Sequence, residues 1–333
     1  LADGSIPLVV GTHALVQKDV EFADLAFAVI DEQHRFGVDQ RLELSEKGQG
    51  TDMLVMTATP IPRTLALTVY GDMDVSKLDE KPPGRKPVDT RTVSLERLDE
   101  TIAAIGRAIN KGAKVYWVCP LIEESEVTDL AAAEDRYATL KARFGNAVGL
   151  IHGRMKPAER DAVMEAFASA AHASPKILVA TTVIEVGVDV PDATIMVVEH
   201  AERFGLSQLH QLRGRVGRGG KDGTCLLLFA PPLGETAKAR LSILRKTEDG
   251  FLIAEEDLRL RGSGEMLGTR QSGMPTFRLA DLSVHGELVA VARDDAQLII
   301  TRDAELQTER GQALRTLLYL FEQDEAIKTL RSG

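Results

Sequence analysis

Residues 25–34 read LAFAVIDEQH, six apolar residues followed at once by Asp31-Glu32-Gln33-His34. The run has the length and composition of a buried strand. A buried strand ending in Asp-Glu is how nucleotide-driven motors place an Mg²⁺ ligand and a water-orienting carboxylate at the carboxyl edge of a sheet. The usual companion of such a box is a G-x-x-x-x-G-K-[ST] loop that cradles phosphates. No such loop occurs in the 333 residues. The nearest approach, Gly220-Lys221, fails because Arg215 stands where the first Gly is needed and Asp222 where Ser or Thr is needed. The sequence carries half of a phosphate-handling site.

Outward from this stretch, apolar runs alternate with helical patterns. PLVV (7–10), LAFAVI (25–30) and MLVMT (53–57) predict strands. HALVQKDV (13–20), VDQRLELSEKG (38–48) and PRTLALTVYG (62–71) predict helices between and after them. Such alternation builds βαβ units and a parallel sheet. At EKPPGRKP (80–87) three prolines and a glycine within eight residues can continue neither element, which makes 81–87 a linker. From VDTRTV (88–93) the alternation resumes through the runs KVYWVCPLI, VGLIH, KILVATT, ATIMVVEH and TCLLLFA, with helices expected near 97–111, 128–144, 157–171 and 207–215. After Pro232 the strands stop. Helical patterns at 235–262, 284–302 and 311–330 surround the Gly-rich RGSGEMLGTRQSG. The expected fold class is therefore α/β: two parallel-sheet domains in tandem (1–80, incomplete, and 88–232), then an α-rich appendage (233–333).

The net charge of −10 excludes a uniformly basic coat but not a local basic track. Between Arg203 and Lys221 lie five Lys/Arg residues and no Asp or Glu. Phosphates respond to charge within a Debye length of about 8–10 Å, not to the total. No run of eighteen apolar residues occurs, so membrane insertion is not expected and a cytoplasmic location is. Cys119 and Cys225 each sit inside an apolar run, which suits buried, reduced thiols better than a disulfide framework or a zinc site. The first residue is Leu1 and the opening LADGSIP is turn-like, as in a segment cut from a longer protein.

Each motif has a chemical and a plainer reading. Asp31 is either a metal ligand or the cap of a turn. Thr57-Ala58-Thr59-Pro60 after MLVMT offers hydroxyls to a neighbouring carboxylate, or is a simple strand-to-helix turn with Pro62 near the first helical positions. In Glu185-Val186-Gly187-Val188-Asp189, Gly187 allows close backbone approach and Asp189 can accept from a ribose hydroxyl or an arginine. In Gln211-Leu212-Arg213-Gly214-Arg215-Val216-Gly217-Arg218, arginines 215 and 218 can project a fork of donors at one phosphoryl group, or simply decorate a solvated basic surface. The repeated RFG-x-x-Q at 35–40 and 203–208 fits no short repeat period.

Taken in order and spacing, GTHAL, DEQHRFG, MTATPIPR, EKPPGRKPV, HGRM, VATTVIEVGVDVP, QLHQLRGRVGRG and RLRGSGEMLGTRQSG resemble the bacterial RecG family of branch-migration helicases, a group of superfamily 2 motors. The resemblance runs from Val9 to about Leu282, and the last fifty residues carry little of it. The transcription-repair coupling translocases share TATPIPR and the arginine motif but usually read DEEH, so Gln33 and PPGRKP favour RecG. A third possibility is a non-hydrolysing DNA-binding or regulatory module, since the P-loop and the fork-splitting wedge domain of the family would precede Leu1.

The resemblance implies two RecA-like domains, with ATP and Mg²⁺ as cofactors and the nucleotide held between the domains. It implies branched double-stranded DNA (forks and Holliday junctions) and single-stranded-DNA-binding protein as partners, and action as a monomer. By motif match it makes Asp31 the Mg²⁺ ligand and Glu32, beside it at the metal, the residue that orients or deprotonates water. His34 would link the nucleotide site to the other domain, its plainer reading being a loop histidine bonded to backbone. Thr57 and Thr59 would couple hydrolysis to motion. Gly187 and Asp189 would lie at the nucleotide cleft, Gln211 and Arg215 would face the phosphates, and Arg218 would be an arginine finger. Thr12, His13, His152 and Arg154 would grip DNA phosphates, or simply be turn residues. Arg240, Arg261 and Gln271 would form a clasp on a helical hairpin, whose plainer reading is an amphipathic pair packed through Leu241, Leu244, Leu258 and Leu260.

Overall fold

The apolar runs pair as parallel strands. A computed structural model describes residues 1–32, 43–44, 47–48, 50–57, 74–120, 126–171, 174–181, 190–268, 280 and 282–321. Those up to 57 belong to one compact unit and those from 74 on to another.

In the first unit β1 (Phe27–Ile30) and β2 (Asp52–Val55) run parallel, with Ala28 opposite Met53 and Ile30 opposite Val55. Their inward face, Ala28 and Ile30, packs with Val16 and Leu44. The ammonium of Lys47 donates to the carbonyls of Gln17 (2.8 Å) and Val20 (2.6 Å), tying the opening segment to this core. Two expectations fail here. PLVV (7–10) is not a strand, and Leu8 and Val10 are 80% and 90% exposed, because an apolar tetrapeptide makes a strand only where a neighbour completes its ladder. HALVQKDV forms only a single 3₁₀ turn, His13–Val16. Most of VDQRLELSEKG and all of PRTLALTVYG lie outside the described residues.

The second unit holds six parallel strands: β3 (Val88–Ser94), β4 (Lys114–Val118), β5 (Val148–Ile151), β6 (Ile177–Ala180), β7 (Ala193–Val198) and β8 (Gly223–Phe229), in the order β3-β8-β7-β4-β6-β5. Between them run α1 (Leu98–Asn110), α2 (Glu126–Phe144), α3 (Pro157–Ala168) and α4 (Leu206–Arg213). Strands β4 and β6 are buried at every position, as a parallel sheet covered on both faces requires. Alternate residues feed two cores. Val115, Trp117 and Cys119 meet Ile102 and Ile105 of α1 and Ala133 and Leu140 of α2. Tyr116 and Val118 meet Phe167 of α3 and Leu206, Leu209 and Leu212 of α4.

Strand β8 is followed by α5 (Glu235–Lys246), α6 (Gly250–Gly268), α7 (Leu282–Asp303) and α8 (Glu309–Leu320). The hairpin formed by α5 and α6 shares the core of the sheet. Leu241, Leu244 and Ile253 join the Tyr116 cluster, Leu260 packs against it, and Leu258 is buried.

The buried charges of Lys114 and Glu199 are bonded. Lys114, 2% exposed, donates to the carbonyls of Phe167 (2.6 Å), Ala168 (3.2 Å) and Ser169 (2.8 Å), and so satisfies the C-terminal end of α3. Burial, then the nearby charge of Lys176, pulls its amine below the ordinary lysine value, against the opposing pull of Asp192. Glu199, just past β7, accepts from the Trp117 indole and the Arg136 guanidinium, fastening α2 to the sheet. Both cysteines are free and buried. Burial, then the Glu199 charge, raises the Cys119 thiol, and burial pushes Cys225 up to about 12, so neither supplies a thiolate near neutrality.

Candidate functional site

Strand direction decides where each motif stands. In the first unit Asp31 and Glu32 follow β1 and Thr57 follows β2, so the parallel pair brings all three to one carboxyl edge. Asp31 is exposed, and its Oδ1 accepts the N–H of Glu32 at 2.8 Å. Glu32 has a left-handed backbone, φ 53°, which costs a non-glycine residue of order 1–2 kcal/mol. Mg²⁺ is commonly held by one or two carboxylates with phosphate and water completing an octahedron, so an exposed aspartate at a strand end fits the ion. Among the described residues no cluster of three His, Cys, Asp or Glu forms a fuller metal cage. Thr12 and His13 are exposed, with the Thr12 hydroxyl accepting the Ala14 N–H at the start of the 3₁₀ turn. His34, Thr59, Gly187, Asp189 and Gln271 lie outside the described residues.

In the second unit the arginine motif begins on α4, which leaves the carboxyl edge after β7 and ends where β8 begins. Gln211 and Arg215 are half-buried and Arg218 is exposed. The loop beyond α4 is tight. Gly217 has φ +75°, and a Cβ at Gly219 would lie 2.6 Å from the Pro191 carbonyl oxygen. Lys221 donates to Asp192 at 2.7 Å. The end of the Gly187–Pro191 motif is thus brought against the arginine loop. His152 and Arg154, by contrast, follow β5 at the opposite, carboxyl edge of the sheet. Arg240 of α5 donates to the Phe204 carbonyl at 3.3 Å, and Arg261 lies on α6 with its side chain outside the described set.

Arg213 is one of the five basic residues of the local track, but its charge is not on the surface. It is 3% exposed, with Nη1 donating to the carbonyls of Leu244 (2.7 Å) and Thr247 (2.8 Å) at the end of α5 and Nη2 donating to Nδ1 of His210 (2.8 Å). With Lys221 also paired, the positive field of this segment is narrower than its composition suggests. The end of α4 is treated in the same way: the Gly214 carbonyl accepts from Arg85 of the linker (2.9 Å) and from Nε of Arg218 (3.0 Å). Cations at helix C-termini are favoured by the helix dipole.

Because Arg213 donates to Nδ1, the His210 ring is neutral with its proton on Nε2. Burial, followed by the charges of Arg213 and Arg85, brings its pKa down to about 4 against the opposing pull of Glu248 and Asp249. Between about pH 6.5 and 4 the unfolded chain binds a proton here that the folded chain refuses, so stability rises with pH across that window. Acidification from pH 7.5 to 5 is expected to remove about 2 kcal/mol through this ring. His210→Gln, whose amide oxygen can still accept from Arg213, should flatten that slope. The single tryptophan, Trp117, is fully buried in this unit, and its fluorescence during urea unfolding reads the result. An unchanged slope in His210→Gln would remove the titration from this ring.

The sequence did not single out Lys81, Arg85 or Glu248. Glu248 stands in the turn between α5 and α6, where Asp249 accepts from the N–H groups of Phe251 (2.9 Å) and Leu252 (3.2 Å) and Thr247 accepts from that of Asp249 (3.0 Å). A charged residue between two helices usually signals solvent. Here it faces Lys81 of the linker, 167 residues earlier in the chain.

Comparison with known proteins places this architecture. The family model described as "Helicase conserved C-terminal domain" matches residues 95–220, and that described as "ATP-dependent DNA helicase RecG, domain 3, C-terminal" matches 247–321. The chain is 52% identical over 312 residues to the ATP-dependent DNA helicase RecG of Pasteurella multocida, covering 92% of this chain and 45% of that protein. It is 54% identical over 306 residues to the RecG of Acidithiobacillus ferridurans, covering 92% and 44%. A solved structure of RecG bound to a three-way DNA junction superposes with a TM-score of 0.65 at 46% identity, covering 87% of this chain and 37% of that one. No described helix is long and apolar enough to cross a membrane. The chain spans a little under half the length of the curated relatives it matches, and within that span it belongs to the RecG family.

Proposed function

We propose that the chain is the motor portion of an ATP-dependent DNA helicase that unwinds and branch-migrates forked and Holliday-junction DNA in recombination and repair. The observation that carries this reading is the 46% identity, over 87% of the chain, to a RecG whose solved structure holds a three-way DNA junction. In this reading residues 1–80 are the carboxyl-terminal part of a first RecA-like domain, 81–87 a linker, 88–232 a second RecA-like domain and 233–333 the coupling hairpin and its helical extension.

Asp31 holds Mg²⁺, which when bound neutralises phosphate charge, and Glu32 orients the attacking water. Gln211 and Arg215 face the phosphates. Arg218 donates to the charge that develops on the transferring phosphoryl group. Gly187 and Asp189 line the nucleotide cleft, while His34, Thr57 and Thr59 pass the state of the nucleotide to the rest of the motor. Thr12, His13, His152 and Arg154 grip phosphates rather than bases, as a translocase that ignores sequence requires. Arg240, Arg261 and Gln271 hand movement to duplex DNA. The protein acts as a cytoplasmic monomer, with single-stranded-DNA-binding protein as a further partner.

The test is unwinding of a labelled three-way junction by the full-length polypeptide with ATP and Mg²⁺. A protein that binds the junction yet never separates its strands would remove the reading. The 333 residues alone have no phosphate-loop motif, which favours a second reading for the isolated chain: it binds DNA and hydrolyses no measurable ATP. Robust turnover by the isolated chain would mean that its phosphate site is built from other residues.

A further inference from the structure

The linker has no ladder to hold it. Residues 81–87 form neither helix nor strand, and their backbone makes one turn, with the Arg85 N–H donating to the Pro82 carbonyl at 3.2 Å. Pro83 and Gly84, the latter at φ +83°, occupy the central positions in the pattern of a type II turn. What fastens this segment is a set of side chains. Lys81 pairs with the Glu248 carboxylate, whose other oxygen accepts the N–H of Val88, the first residue of β3. Arg85 donates to the Gly214 carbonyl at 2.9 Å, and Lys86 pairs with Asp222 at 2.9 Å.

Three segments therefore meet with a tether on each side. Arg85 joins the linker to the end of α4, Arg213 joins α4 to the end of α5, and Glu248 joins the hairpin turn to Lys81 of the linker and to the first residue of β3. Both carboxylate oxygens of Glu248 are engaged, and the side chain is 23% exposed while that of Lys81 is 45% exposed. Burial works to raise the Glu248 carboxyl, but the bonds from Lys81 and Val88 outweigh it and hold it below the usual carboxylate range, so it is charged near neutrality.

We infer that Glu248 is a positioning residue that pins the linker to the hairpin turn, so that linker, arginine segment and hairpin move as one body during ATP turnover. The inference rests on the helicase reading above and names a coupling element within it. A pair this exposed contributes little to global stability, so its loss should be visible in coupling rather than in folding.

The experiment uses the full-length polypeptide and measures base pairs unwound per ATP hydrolysed on forked DNA, together with hydrogen exchange at the Val88 amide. Glu248→Ala is expected to keep ATP turnover within about twofold of wild type, lower the unwinding yield about tenfold and speed exchange at Val88. Glu248→Gln, which keeps an acceptor for the Val88 N–H but loses the charge, should fall between. The swap Lys81→Glu with Glu248→Lys should recover part of the yield. Should Glu248→Ala fail to fold, Lys81→Ala removes the same tether from its exposed end and carries the test, with the yield again expected to fall. An unwinding yield within about twofold of wild type in these variants overturns the inference, as does a parallel loss of turnover, yield and thermal stability without rescue by the swap. A wild-type protein that unwinds nothing overturns the helicase reading itself, which is a different result from a wild type and a variant that unwind equally well.

Discussion

Arg218→Ala in the full-length polypeptide is expected to lower DNA-stimulated ATP hydrolysis by about 10³- to 10⁵-fold while leaving DNA binding in place. The size follows from what the guanidinium would meet under the proposed function. A donor aimed at charge that exists only in the transition state adds to the rate without adding to ground-state affinity. The local structure supports such a role. Arg218 is exposed, and its Nε donates to the Gly214 carbonyl at the end of α4, which fixes the start of the guanidinium. Gly217 at φ +75° and Gly219 against Pro191 give the loop one compact path around it. An exposed side chain of this kind contributes about 1 kcal/mol or less to folding, so Trp117-monitored unfolding should barely move. Arg218→Lys keeps the charge but loses the planar fork and should recover only a small part of the rate. Near-normal turnover in Arg218→Ala would withdraw the finger assignment.

The strands were legible because a parallel sheet covered on both faces writes itself as short, continuous apolar runs. KILVATT became β6, ATIMVVEH became β7 and TCLLLFA became β8, each within a few residues of its expected limits. PLVV has the same composition and forms no strand, since pairing is a property of two segments and composition belongs to one. The same limit governs the polar residues. Lys114 opens the run KVYWVCPLI as an ordinary strand-end lysine, yet its partners are carbonyls more than fifty residues later, at the end of α3. Glu248 and Arg85 were not singled out because their partners, Val88 and Gly214, are brought to them by the path of the sheet and not by spacing. Asp31, Thr57 and the arginine loop were legible as motifs, since each stands at a strand or helix end whose direction the alternation already fixes.

Arg213 and Arg218 stand five positions apart in one motif, and the second large effect comes from their difference. Arg213→Ala is expected to destabilise the second unit by about 4 kcal/mol, close to a thousandfold in its folding equilibrium. The side chain is 3% exposed, and its removal leaves the Leu244 and Thr247 carbonyls and the His210 Nδ1 without the donor that satisfies them. Each buried acceptor so orphaned costs about 1–3 kcal/mol, and water is poorly placed to replace a fork wedged between α4 and α5. Arg213→Lys keeps a buried cation that can reach one group but cannot span three, so about half of the loss should remain. Urea unfolding followed through Trp117 measures both, and the midpoint should fall for Arg213 variants while Arg218→Ala stays near wild type. Equal stability of Arg213→Ala and wild type would mean that the α4–α5 junction is held by the packing of Leu212, Leu241 and Leu244 alone. Under the proposed function the same variant should lose ATPase in proportion to the fraction unfolded and regain it on cooling, whereas Arg218→Ala should stay inactive at every temperature at which it is folded.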